Sequence, residues 1–136
     1  MGLAIAAYTV YVLVWLITIA AGAHPSYVGG AREIVSPGLD LTTVVAVCLL
    51  NPVYEETFLC GYIVTRGAES HRVMTAINVS VGLRLLCHLY QGGIGVIMII
   101  PLGLVFSWWY ARTRQLWPLF VAHSLFDAIG LLRYVG

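Results

Sequence analysis

The chain has 136 residues, of which 60% are hydrophobic and 10% charged, with a mean hydropathy of +0.91 and a formal net charge of +1. A soluble domain carries roughly a quarter charged residues, so seven Arg, no Lys and six acids leave too little polar surface for a cytosolic enzyme or a disordered tail. No basic patch is available for a polyanion, and nucleic acid is excluded as a partner. The composition predicts an all-α, multi-pass membrane protein whose main surroundings are the lipid bilayer.

Residues 3–21 form an uncharged run long enough to cross a bilayer. Ala21-Gly22-Ala23 resembles a signal-cleavage site. However, the N-terminus lacks Lys or Arg, and the run exceeds the roughly 7–15 apolar residues of a signal, which favours a span. The stretch from Gly22 to Asp40, rich in Gly, Pro and polar groups, reads as a loop. A second apolar run covers 41–65 and is interrupted by Asn51-Pro52 and Glu55-Glu56. A third covers 73–90 and stops at Gln91-Gly92-Gly93. The fourth, 94–111, contains Pro101 and ends on Trp108-Trp109-Tyr110, aromatics suited to headgroup depth. Residues 116–134 make the fifth. No internal repeat is present. The chain therefore reads as one membrane domain over 1–136, with a first span and loop over 1–40 and a four-helix core over 41–136.

Arg66, Arg72, Arg112 and Arg114 fall on one side of these spans, and Arg32 and Arg133 on the other. The positive-inside bias then places the protein in the cell membrane with a cytoplasmic N-terminus. Asn78-Val79-Ser80 matches a glycosylation sequon, but inside a span it is unusable. Cys48, Cys60 and Cys87 have no pairing spacing and read as small buried hydrophobes.

Six ionisable groups lie inside apolar runs: Glu55, Glu56, Arg84, His88, His123 and Asp127. A charge at the centre of a span costs about 2.5–3.5 kcal/mol on insertion scales, so six on three helices imply mutual pairing or a polar cavity, and hence a functional site. His123 and Asp127, four apart, share a helix face. Ser80, Arg84 and His88 would form a polar stripe on the third span. Glu55 and Glu56 point about 100° apart, so one carboxylate is expected to serve chemistry and the other structure. Counted from the cytoplasmic helix ends, Glu55 lies about 10 residues deep, His123 about 7 and His88 about 15, a spread of about 12 Å. The third helix should therefore begin nearer Asn78, or tilt.

Residue types alone leave several chemistries open. A carboxylate beside a neutral His can take a proton from a trapped water, and a second His with a partner one turn away can bind a developing oxyanion. The same groups could ligate a zinc-like divalent metal, form a proton relay or serve as structural pairs.

The order of three segments adds to this. Asn-Pro-Val-Tyr-Glu55-Glu56-Thr-Phe-Leu-Cys60-Gly61-Tyr, then Arg84-Leu-Leu-Cys-His88-Leu-Tyr-Gln-Gly, then Leu116-Trp-Pro-Leu-Phe-Val-Ala-His123-Ser-Leu-Phe-Asp127 resembles the CAAX-protease and bacteriocin-processing family of intramembrane endopeptidases. That family's pattern is E-E-x-x-x-R, F-x-x-x-H and H-x-x-x-N or D, on a four-helix core. The resemblance implies that Glu55, with His88, activates the attacking water, that His123 and Asp127 stabilise the oxyanion, and that Glu56 is the ion-paired second carboxylate. It implies a peptide or lipidated protein substrate, with a membrane-protein partner or a second copy of the chain as further candidates. No cofactor is favoured, since only two His converge; a zinc-like metal is the alternative. Two positions depart from the pattern: the motif Arg is Cys60 and the motif Phe is Arg84. Arg84 is therefore expected to neutralise Glu56 in place of the missing Arg. The competing reading is a catalytically degenerate member that serves as a membrane partner-binding or scaffold protein.

Overall fold

The computed structural model of the chain describes residues 2–22 and 40–132, apart from the side chains of 92–94. The predicted first loop and Arg133 lie outside the described residues. All described elements are helical: α1 (Gly2–Ala20), α2 (Leu41–Glu56), a π-helical segment (Thr57–Val64), α3 (Thr65–Glu69), α4 (Val73–Cys87), a 3-10 turn (Leu89–Gln91), α5 (Gly92–Thr113) and α6 (Trp117–Leu131). Residues 41–69 run as one continuous rod, so the described residues form a bundle of five rods.

The apolar runs become helices and two prolines do not interrupt them. Pro52 lies within α2 and Pro101 within α5. Each removes one ladder hydrogen bond, which membrane helices accommodate through neighbouring groups. Local chemistry sets the ends instead. Asp40 caps α2 by accepting from the Thr43 N–H at 3.1 Å and from the Thr43 hydroxyl. The rod 41–69 ends in a Schellman turn, with Arg72 N–H donating to Gly67 O and His71 N–H to Ala68 O, and His71 in the left-handed region at φ 54°. Arg114, at φ 56°, closes α5 in the same region.

Packing follows from the side chains. α2 lies against α6, and α4 against α5 and the π segment. α1 rests on α5 and α6, and its Leu3 and Ala7 join Cys60, Val64, Phe106, Tyr110, Leu119 and Ala122 in one core. That burial makes α1 an integral part of the bundle. The outward faces carry large apolar side chains such as Ile17, Leu50, Tyr54, Met74 and Val121, all exposed. In water such surface would be far larger than the patches soluble monomers display; in lipid it is the expected exterior.

Three helices, Gly2–Ala20, Leu41–Glu69 and Gly95–Thr113, are long and apolar enough to cross a membrane. α4 and α6 are shorter apolar helices of 15 residues each, about 22 Å long at 1.5 Å per residue. The third predicted run, 73–90, is thus only partly helical. It begins at Val73 rather than near Asn78 and stops at Cys87. The cysteine reading also needs correction, since Cys48 and Cys60 are buried but Cys87 is exposed.

Candidate active site

The ionisable residues converge from three rods. Glu55 and Glu56 end α2 where the π segment begins, Arg84 lies in the last turn of α4, and His123 and Asp127 sit one turn apart on α6. α5 closes the group with Phe106 and Ser107.

Glu56 is fully buried and every oxygen is engaged. Arg84 grips it as a fork, with Nη1 2.8 Å from Oε1 and Nη2 donating to Oε2 at 2.8 Å. His123 Nδ1 lies 2.7 Å from Oε1, and the Cys60 thiol donates to Oε2 at 3.3 Å. This fork geometry suits a planar guanidinium. Arg84 is itself buried, with its guanidinium carbon 5.7 Å from the Phe106 ring centre. It reaches Glu56 and does not run to an interface. Beneath the pair, the buried hydroxyls of Ser80 and Ser107 share a hydrogen bond of 3.1 Å, and Ser107 lies 3.9 Å from the Cys60 sulfur. Ser80 is thus committed to the interior, whereas Asn78, two residues earlier, is exposed on α4. Cys60 spends its proton on a carboxylate, an arrangement opposed to nucleophilic use.

Glu55 differs although it is the adjacent residue. Its side chain is 15% exposed, and its contact with Arg84 Nη1 is long, at 3.5 Å. Adjacent helical positions diverge by about 100°, so one carboxylate is turned into the bundle and the other toward its margin.

His123 bridges two carboxylates. Nδ1 faces Glu56, and Nε2 lies 3.5 Å from Asp127 Oδ1. Asp127 also accepts from Asn51 Nδ2 at 3.3 Å. Asn51 did not stand out among the candidates. Its signal was an amide one turn before Glu55 in an otherwise apolar run.

His88 stands apart. It is the C-cap of α4, not a member of its helical stripe, and is only half-buried. Its Nδ1–H donates to Arg84 O at 2.8 Å, which leaves Nε2 as the acceptor in the neutral ring. Its ring stacks with Tyr90 at 6.1 Å.

Glu55, Glu56 and His123 place ligand atoms within 4.8 Å of one another, a spacing that a divalent ion could use. The Arg84 guanidinium already satisfies Glu56 at 2.8 Å, so a second cation there would meet like-charge repulsion in a buried setting.

Residues 37–129 match the family model described as type II CAAX prenyl endopeptidase Rce1-like. The match spans every candidate residue from Glu55 to Asp127. No curated protein and no solved structure matches the chain.

Proposed function

The chain belongs to the type II CAAX prenyl endopeptidase Rce1-like family, a family of membrane proteases, and from that premise we propose that it hydrolyses peptide bonds at the membrane with Glu55 as the water-activating carboxylate. The observation that carries this reading is the contrast between adjacent acids: Glu56 is buried in a closed set of donors, whereas Glu55 is partly exposed and held by one 3.5 Å contact. General-base chemistry needs the freer carboxylate. Glu55 takes a proton from water as the oxygen attacks the scissile carbonyl carbon. His88, whose Nε2 is left as an acceptor, is assigned the role of orienting that water. His123, held through Nδ1 by Glu56, donates to the developing oxyanion from Nε2, which makes only a long 3.5 Å approach to Asp127. Asp127, fixed by Asn51, holds that ring in place. The proton on Glu55 then passes to the leaving amine, and the peptide C–N bond breaks.

The engagement of Glu56 by Arg84 supports hydrolysis without a metal. The family description supports prenylated C-terminal tails as the substrate class, delivered along the membrane. The arginine distribution supports a cytoplasmic N-terminus in the cell membrane. The test is cleavage of a peptide library that includes prenylated tails by the detergent-purified chain. Cleavage should fall by about 10²-fold or more in Glu55→Gln and in His88→Ala and should persist with a chelator. Failure of the folded protein to cleave any peptide would leave membrane-partner binding as its use. Abolition by the chelator would restore the metal reading.

A further inference from the structure

The net charge of +1 conceals a local basic patch that the composition did not lead one to expect: four of the seven arginines gather at one end of the bundle, where α3 joins them into a single surface. Arg114 Nη1 donates to Thr65 Oγ1 at 3.2 Å, and that hydroxyl is also 3.0 Å from the Tyr110 hydroxyl. Two residues farther along α3, Gly67 O accepts from Arg72 N–H at 2.7 Å. The α3–α4 turn and the α5–α6 turn are thereby tied edge to edge. Arg66 is paired with Glu69 at 2.9 Å. Arg72, Arg112 and Arg114 are exposed, and among the described residues no carboxylate pairs with them. Aromatic rings carry two of them instead: Arg112 lies 4.4 Å over Trp108 and Arg114 5.8 Å over Tyr110.

Below this basic rim the surface turns apolar within one helical turn. Trp108 and Leu104 are exposed on α5, and Trp117 and Val121 on α6. Along each helix the order is guanidinium, indole and aliphatic side chain, Arg112, Trp108 and Leu104 on α5 and Arg114, Trp117 and Val121 leading into α6, which matches, from the outside inward, a phosphate, a glycerol ester and an acyl chain. A soluble acidic peptide would use the rim and leave the strip bare.

We propose that Arg72, Arg112 and Arg114 form a docking surface for anionic phospholipid headgroups, with the acyl chains lying along Leu104, Trp108, Trp117 and Val121. This surface is separate from the candidate active site. Glu55 precedes Thr65 by ten residues, about 15 Å along the rod, and none of the three arginines touches the buried cluster. The inference therefore stands or falls independently of the protease reading.

The experiment is tryptophan quenching by brominated lipid in vesicles, since Trp108 and Trp117 flank the surface. Brominated phosphatidylglycerol is competed against phosphatidylcholine for the native chain, for the triple variant Arg72→Gln/Arg112→Gln/Arg114→Gln, and for the triple Lys variant. Near a membrane surface each Arg is worth about fivefold in affinity, so the native chain should prefer phosphatidylglycerol by roughly tenfold or more. The Gln variant should lose that preference, and the Lys variant, which keeps the charges, should retain most of it. An equal preference in the Gln and native chains would overturn the proposal, as would no preference in the native chain. Displacement by soluble glycerol phosphate as effective as by phosphatidylglycerol would overturn the lipid assignment in favour of a free phosphate site. Displacement by an acidic peptide alone would assign the rim to a protein partner.

Discussion

Replacing Arg84 with Met tests how the bundle tolerates a carboxylate at its centre. In the native chain the fork places two guanidinium nitrogens 2.8 Å from the two Glu56 oxygens, and both side chains are buried. Charge centres about 4 Å apart at an effective dielectric near 20 attract by about 4 kcal/mol. Breaking a buried pair by removing one partner typically costs about 3–5 kcal/mol, because the other charge is left uncompensated. Arg84→Met should therefore destabilise by about 3 kcal/mol or more, with only His123 and Cys60 still donating to Glu56. Glu56→Gln should also destabilise, because Arg84 would keep only the 3.5 Å contact with Glu55 as a charge partner. The double variant removes both charges together and should cost clearly less than the sum, with a coupling of at least about 2 kcal/mol. Unfolding in mixed micelles titrated with a denaturing detergent, followed by helical circular dichroism, gives all four corners of the cycle. Additive effects would mean that the two residues do not act as a pair, and the reasoning would fail.

Three further outcomes follow from other parts of the molecule. A Cβ at Gly67 would overlap the Ala76 Cβ, so Gly67→Ala should force α3 from α4 and destabilise by about 1–3 kcal/mol in the same micelle assay. The hydrogen bonds from the Thr43 hydroxyl and N–H hold the Asp40 carboxyl below its usual range. The stabilisation from its ionised cap is therefore complete above the ordinary carboxyl value and fades as pH falls through the lowered native one. An acid titration of thermal stability should show this loss in the native chain and not in Asp40→Asn. Arg84→Phe should abolish cleavage, and adding Cys60→Arg should recover part of it. Cys60 already sits one turn from Glu56 with its sulfur 3.3 Å from the carboxylate. Activity in Arg84→Phe equal to native would show that the cation is dispensable.

Much of this architecture is legible in hydropathy, because lipid demands long apolar runs and internally satisfied backbone. The five rods and the Trp-Trp-Tyr stretch near the end of the fourth could be read that way, whereas Gly92 and Gly93, expected to end the third run, begin α5 instead. What hydropathy does not carry is the point at which a helix yields to another hydrogen-bond pattern. The π segment after Glu56 and the early end of α4 at Cys87 are both embedded in apolar sequence. The convergence of Glu55, Glu56, Arg84, His123 and Asp127 was foreseeable from the cost of isolated charges in a span. Residue types alone did not say which carboxylate turns inward, since that depends on helix rotation set by packing against α4 and α6; the family resemblance named Glu56 as the paired one, as found. The same limit applies to His88, expected on a helical stripe and found at a cap, and to Asn51, whose partner lies 76 positions away.

In the proposed mechanism two neighbouring carboxylates hold different offices, Glu55 in chemistry and Glu56 in structure. Cleavage rate and unfolding free energy should therefore be measured side by side for Glu55→Gln and Glu56→Gln in the same lipid–detergent preparation. The account predicts that Glu55→Gln keeps native stability while losing cleavage by about 10²-fold or more, and that Glu56→Gln is markedly destabilised. Native cleavage by a folded Glu55→Gln protein would contradict it.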